Sequence, residues 1–255
     1  MKKIVVIPAR LESSRFPNKI LLNIHSLPMI EHVRRRVLMS KKIKDVYVAT
    51  CDSEIRDSLL PFGAKVIMTS KDHSNGTSRV AEAILNLDCD KVILVQGDEP
   101  LILPRHIDIV ASEIDKSPNV LAFNATGPIH SMDELNRHSI VKCSVINNNV
   151  LYCYRKTPSF SCLDDQKKYI RKMFGIIAYE KNFLIKLNDL DLSIIEETES
   201  IEQMRIIENG FSLRSISLEL SQPSINEPHE LEEVLNYIKS NSEQQLLLDK
   251  VLNFL

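Results

Sequence analysis

An α/β fold is expected here: a Rossmann-like, mostly parallel sheet flanked by helices, with a strand-rich insertion. Three observations lead there. Short β-branched runs alternate with segments of helical periodicity from residue 3 to residue 116. From residue 120 to residue 179 such runs follow one another with little helix between them. The 255 residues are 44% apolar, enough for one large core.

The elements follow in order. Lys3, Ile4, Val5, Val6 and Ile7 form a buried strand stopped by Pro8. Residues 9–28 are polar, basic and proline-punctuated, and read as a loop. The spacing of Met29, Ile30, Val33 and Val37 predicts a helix over 28–40, with Arg34, Arg35 and Arg36 mostly on its solvated side. A second strand spans 46–50, and a helix over 53–62 is closed by Gly63. A third strand covers 65–68, a helix 78–87, and a fourth strand 91–95. Gly97, Asp98, Glu99 and Pro100 break that strand sharply, and a helix over 104–114 follows. Strands are then expected over 120–126, 140–146, 150–154 and 174–179, with Asn147, Asn148 and Asn149 as the hairpin turn between the second and third. Residues 155–172 are polar and irregular. A helix over 199–208, a strand over 212–217 and a helix over 228–239 come next. The tail from Glu243 carries leucines at 246, 247, 248, 252 and 255 and predicts a last helix. The chain reads as a single domain over 1–255, with a core over 1–118, the strand-rich region over 119–195, a return to the core over 196–240 and an extra helix over 241–255.

Composition excludes several classes. A net charge of −2, from 32 basic and 34 acidic residues, gives no global field for nucleic acid or anionic membrane. No Trp is present and no aromatic platform appears, so a nucleic-acid partner is not expected. Six glycines is few against the usual ~7%, and neither G-x-G-x-x-G nor G-x-x-x-x-G-K-[ST] occurs. No run approaches ~18 apolar residues, and the N-terminal apolar stretch reaches Pro8 too soon for a signal peptide. Five cysteines with no C-x-x-C pair point to reduced, buried thiols in a cytoplasmic protein.

The chemistry concentrates in three segments at the carboxyl ends of expected strands, where ligands bind in open α/β sheets. Between Pro8 and Lys19 lie Ala9, Arg10, Ser13, Ser14, Arg15, Pro17 and Asn18: three cations and two hydroxyls in a loop stiffened by prolines. Arginine forks and hydroxyls suit a triphosphate. Asp72, His73, Ser74, Asn75, Gly76, Thr77, Ser78 and Arg79 lead into a helix whose N-terminus favours anions. Asp98, in the turn after Gln96 and Gly97, is placed to hold a hard cation near phosphates.

These segments resemble the sugar cytidylyltransferases, especially the CMP-Kdo synthetases (3-deoxy-manno-octulosonate cytidylyltransferases), over residues 2–238. The loop matches P-A-R-x-x-S-x-R-x-P-x-K, with Asn18 where the family has Gly; Asn tolerates positive φ, so the loop shape can survive. The second segment resembles D-H-x-S-G-T-E-R, with Asn75 and Ser78 in place of Ser and Glu. Residues 96–100 match Q-G-D-E-P in full. The resemblance implies a nucleotide-diphospho-sugar transferase type of fold and transfer of CMP from CTP to a 3-deoxy-2-ulosonic sugar acid, Kdo or a Kdo-like acid, with release of pyrophosphate. It implies Arg10, Arg15, Lys19 and Asp98 as catalytic residues. It implies nucleotide contacts from Ala9, Arg10, Ser13, Arg15, Lys19, Asn75, Gly76, Thr77, Arg79 and Gln96. Acceptor contacts would come from Gln96, Tyr179, Glu202 and Gln203, the last two on a helix resembling E-x-x-E-x-x-E-Q-x-R. Mg²⁺ would be held by Asp98 and by Asn226, which stands where the family has Asp. Met173 replaces the family's His and Ile177 its Tyr, so departures gather in the acceptor half. A homodimer formed through the strand-rich middle and a product serving lipopolysaccharide, capsule or a secondary metabolite are also implied. Two alternatives fit the same residues. One is the same transfer to an amino-ulosonate, another nonulosonic acid or a phosphonate. The other is a non-catalytic regulator that binds cytidine nucleotides.

Overall fold

The computed structural model describes every residue except Ser14, Arg15, Leu220, Ser221, Asn226 and Leu255. The chain divides into two compact units: Met1–Ser112 with Gln222–Leu255, and Glu113–Ser221. The segment 196–221 therefore falls in the second unit, and the chain returns to the first at Gln222.

In the first unit, β1 (Lys3–Ala9) leaves a loop that holds a single 3₁₀ turn at Lys19–Leu21. Two-residue strands β2 (Asn23–Ile24) and β3 (Leu27–Pro28) form a small ribbon. Then follow α1 (Met29–Leu38), β4 (Val46–Thr50), α2 (Ser53–Leu59), β5 (Lys65–Met68), α3 (Gly76–Ala83), β6 (Lys91–Val95) and α4 (Pro104–Lys116). All four long strands are parallel, in the order β5-β4-β1-β6. Ile4, Val5, Val6 and Ile7 are wholly buried, as are Val92 to Val95, because helices cover both faces of the sheet. The strand order reverses at β1, so the crevice between the carboxyl ends of β1 and β6 is a topological switch point.

The second unit opens with β7 (Ala122–Pro128), α5 (Met132–Asn136), β8 (Lys142–Ile146), β9 (Asn149–Tyr154), α6 (Leu163–Gln166) and β10 (Ile170–Glu180). It continues with α7 (Lys181–Asn188), α8 (Ile194–Glu199), α9 (Met204–Glu208) and β11 (Leu213–Ser217). Its strands run β10-β7-β11-β9-β8, and β10 also pairs with β8, closing the ring of pairings. β7 and β11 are parallel; the other pairings are antiparallel. Asn147 and Asn148 both take positive φ, 49° and 60°, as the expected tight hairpin requires. The chain ends, in the first unit, with α10 (Glu230–Ser240) and α11 (Ser242–Leu252).

Several expectations need correction. Arg34, Arg35 and Arg36 are buried rather than solvated. Glu31, one turn earlier and fully buried, receives Arg34 Nε and Arg35 Nε at 2.6 Å each. Arg35 Nη1 also donates to the Val251 carbonyl at 2.7 Å, so α11 covers the face that the sequence predicts to be solvated. α3 begins at Gly76 rather than residue 78, because the Asn75 side chain caps it, accepting from Ser78 N–H at 2.9 Å. In place of the helix expected over 199–208, α8 ends at Glu199, Ser200 takes φ 53°, and α9 begins only at Met204. Short helices α5 and α7, and α6 within the irregular stretch, carry too few residues to show a period. All five cysteines are free thiols, but Cys162 is exposed and Cys51 only half-buried.

Candidate active site

The three motif segments meet in the first unit, in a cleft of about 240 Å³ at the switch point. Its walls come from the end of β1 with the following loop (Pro8, Ala9, Arg10, Ser13, Lys19), from the start of α3 (Asn75, Gly76, Arg79) and from the turn after β6 (Gln96, Gly97, Asp98).

The basic loop is shaped by backbone bonds. Leu11 N–H donates to Asp52 Oδ2 at 2.8 Å, tying the loop to the end of β4. Asn18 N–H reaches back to the Leu11 carbonyl at 3.0 Å. Asn18 itself sits in the left-handed region at φ 58°, so Asn keeps the conformation that glycine would adopt. That kink turns Lys19 inward. Its buried amine donates to Asp98 Oδ2 at 2.6 Å and to the Ile225 carbonyl at 3.1 Å. Ile225 N–H in turn donates to the Asp98 carbonyl at 3.3 Å. Lys19 and Asp98 are thereby fixed against each other by a segment over 200 positions away from Lys19 in the chain.

Arg10 is exposed at the cleft, with Nη1 3.4 Å from the Ser74 carbonyl, and Ser13 Oγ accepts from Phe16 N–H at 3.4 Å. A Cβ on Gly76 would lie 3.0 Å from Pro8 Cγ and 3.3 Å from Gln96 Nε2, so the helix start approaches β1 and Gln96 as closely as a glycine allows. A Cβ on Gly97 would lie 3.1 Å from the Pro8 carbonyl oxygen, which brings the ends of β1 and β6 together. Thr77 is buried. Arg79 is buried too, and its Nη1 donates to Thr69 Oγ1 at 2.6 Å and to the Ser70 carbonyl at 3.2 Å; it braces the segment before α3. His73 pairs closely with Glu82, whose carboxyl is held low by that contact and by Ser70 N–H against the opposing pull of burial.

Ala9, Arg10, Ser13, Lys19, Asn75, Gly76, Arg79, Gln96 and Asp98 are thus gathered at one cleft. Arg15 and Asn226 lie outside the described residues. Of the expected acceptor residues, Gln96 is among those gathered at the cleft, and the other three belong to the second unit. There Tyr179 is buried in β10, and Glu202 and Gln203 are half-buried just before α9. The acidic stripe of that region is partly structural. Glu196 receives Arg205 through two bonds of 2.6 and 2.7 Å, both side chains nearly buried. Sequence reading missed Asp52, which anchors the loop, and Ile225, which braces the Lys19–Asp98 pair. The position of Asp52 after the second strand was a usable signal. The Ile225 contact runs through backbone atoms and leaves no signal in a side-chain pattern.

Mg²⁺ usually keeps water and takes one or two carboxylates plus substrate phosphates. The Asp98 carboxylate, 27% exposed and lining the cleft, fits such a donor set. Among the described residues no group of three His, Cys, Asp or Glu forms a fuller cage.

A parallel-sheet cleft lined by Arg10, Lys19 and Arg79 and by the carboxylates of Glu12 and Asp98 suits a nucleotide and a cation, the site of a nucleotidyltransferase, and comparison with known proteins narrows the class. The model of the cytidylyltransferase family matches residues 4–218. The 8-amino-3,8-dideoxy-manno-octulosonate cytidylyltransferase of Shewanella halifaxensis is 36% identical over 236 residues, 91% of this chain and 96% of that protein. The 3-deoxy-manno-octulosonate cytidylyltransferase of Escherichia coli is 34% identical over 234 residues, 91% of this chain and 94% of that protein. A solved structure of CMP:2-keto-3-deoxy-manno-octonic acid synthetase complexed with CTP superposes with a TM-score of 0.87 at 34% identity, covering 94% of this chain and 99% of that one. The chain belongs to the cytidylyltransferase family, among its CMP-Kdo synthetase-type members. Among the described residues, no helix is long and apolar enough to cross a membrane.

Proposed function

We propose that this protein transfers CMP from CTP to a 3-deoxy-2-ulosonic sugar acid, Kdo or a Kdo-like acid, releasing pyrophosphate. The observation that carries the reading is the meeting of Arg10, Lys19 and Asp98 in one cleft at the ends of β1 and β6. The acceptor's anomeric hydroxyl oxygen attacks the α-phosphorus. The bond from that phosphorus to the β-phosphate oxygen breaks, pyrophosphate departs, and the hydroxyl proton passes to solvent. Arg10 and Lys19, with Arg15 from the same loop, hold the β- and γ-phosphates and offset the charge that grows on the leaving group. Ser13 joins them on the triphosphate, Ala9, Asn75, Gly76, Thr77 and Gln96 read the nucleoside, and Arg79 stiffens the segment that does so. Gln96, which lines the cleft, contacts the acceptor. Asp98 would hold Mg²⁺, with Asn226 as a neutral oxygen donor, and the cation when bound would supply charge near the α-phosphate and lower the acceptor hydroxyl's pKa. Once phosphate oxygens arrive, Lys19 is free to leave Asp98 for them. No covalent nucleophile is required.

The same reading carries a cytoplasmic homodimer built on residues 119–195, checked by sedimentation. The decisive assay is pyrophosphate release from CTP with Kdo and with 8-amino-3,8-dideoxy-manno-octulosonate as acceptors. Release with either acid, together with a thermal shift by CTP and Mg²⁺ that ATP and GTP do not produce, is the expected result. CTP binding without release on either acid would return the protein to the regulator reading.

A further inference from the structure

We infer that Gln244, on the C-terminal helix α11, is a positioning residue for the Lys19–Asp98 pair. The inference rests on the function proposed above for that cleft.

Gln244 is 1% exposed. Its Nε2 donates to the Leu101 carbonyl at 2.9 Å and to Gln222 Oε1 at 2.9 Å. These two acceptors sit on the two segments that meet at the ion pair. Leu101 follows the turn that carries Asp98 by three residues. Gln222 precedes Ile225 by three, and Ile225 accepts from Lys19 and donates to the Asp98 carbonyl. One amide nitrogen therefore ties the Asp98 turn to the Ile225 segment from behind, while Lys19 ties them from the cleft side. Arg36 Nη1, 3.4 Å from the Ile102 carbonyl, supports the same turn from α1.

The helix that bears Gln244 is anchored along its length. The Asn241 side chain caps its start, accepting from Gln244 N–H at 3.0 Å. Arg105 pairs with Glu243, and Arg35 donates to the Val251 carbonyl near the far end. Gln244 is thus held by its own helix rather than by the segments it joins. Its Oε1 is buried and has no partner among the described residues. An unpaired buried acceptor costs stability, and an apolar side chain of the same length would avoid that cost. The amide thus leaves its own oxygen unpaired while its nitrogen joins the two segments.

The test compares Gln244→Met, which keeps length and removes both bonds, with Val251→Ala, which loosens the same helix without touching them. The wild-type chain must first turn over CTP and an ulosonic acid; if it does not, the functional reading fails and the Gln244 inference has no reaction to act on and falls with it. With wild-type turnover in hand, Gln244→Met should lower kcat by roughly tenfold, as small misplacements of reacting groups do, with a smaller loss of melting temperature than Val251→Ala. Val251→Ala should lower the melting temperature and keep kcat. Gln222→Glu, which retains the acceptor oxygen, should keep kcat, whereas Gln222→Leu should match Gln244→Met and add nothing to it in the double variant. An unchanged kcat in Gln244→Met, or a loss that tracks melting temperature equally in Gln244→Met and Val251→Ala, would overturn the inference.

Discussion

Lys19 Nζ lies 2.6 Å from Asp98 Oδ2, so the cation of the first motif neutralises the carboxylate of the third across 79 positions of sequence. Each is the other's placeholder until ligand arrives. Asp98→Asn should lower kcat by about a hundredfold or more while CTP binding persists in part. Lys19→Met should instead weaken CTP binding as well as turnover. Calorimetric titration with CTP alongside pyrophosphate release separates the two; near-normal kcat in Asp98→Asn would refute the role given to the carboxylate.

Asn18 holds φ 58° and directs Lys19 inward. Asn18→Gly should leave activity intact. Asn18→Val forces a β-branched side chain into a region that costs about 1–2 kcal/mol, and should raise KM for CTP several-fold. Equal KM values in the two variants would show that the kink does not place Lys19.

Glu31 is a single carboxylate shared by Arg34 and Arg35 in the interior beneath α11. Glu31→Gln leaves two buried guanidinium groups without their counter-charge. Breaking such a pair costs about 3–5 kcal/mol, which urea unfolding would read directly. Exposed pairs such as Lys116–Glu113 should lose far less on the same treatment.

Burial pushes His32 and His106 down to about 4 from the usual 6.5. His32 stays neutral, with Nε2–H donating to the Ile24 carbonyl at 2.7 Å. Between pH 6.5 and pH 4 the unfolded chain takes up protons that the folded chain refuses. Stability is therefore complete above pH 6.5 and falls as pH drops toward 4, by up to about 1.4 kcal/mol per pH unit for each histidine. The double variant His32→Gln, His106→Gln should flatten that slope in denaturant titrations across the window. An unaltered slope would mean that carboxylates alone set the acid limb.

The sequence made the nucleotide cleft legible because its parts are local. A β-branched strand ends, and cations, small residues or a carboxylate follow at once, as with Ile7 before Arg10 and Val95 before Asp98. The arginine triplet of α1 was misread because charge was taken as a mark of the solvent face. The opposing signal, Glu31 at i−3 and i−4, was present, but the cover supplied by α11 lies more than 200 residues on and has no local trace. The break at Ser200 was hidden for a different reason. Serine in the left-handed region is set by its surroundings, here by the Arg155 guanidinium donating to the Glu199 and Ser200 carbonyls, and not by propensity.

The bond from Lys19 to the Ile225 carbonyl also sets an order of events during synthesis. The strands of the N-terminal sheet, the basic loop and Asp98 all leave the ribosome more than a hundred residues before Ile225 does. A nascent chain can lay down its parallel sheet early and still lack the last acceptor for its buried amine. The cleft is completed only when the returning segment docks, a late closure of long-range contacts. A truncated or stalled product thus carries the basic loop without the brace that holds Lys19 and Asp98 in register.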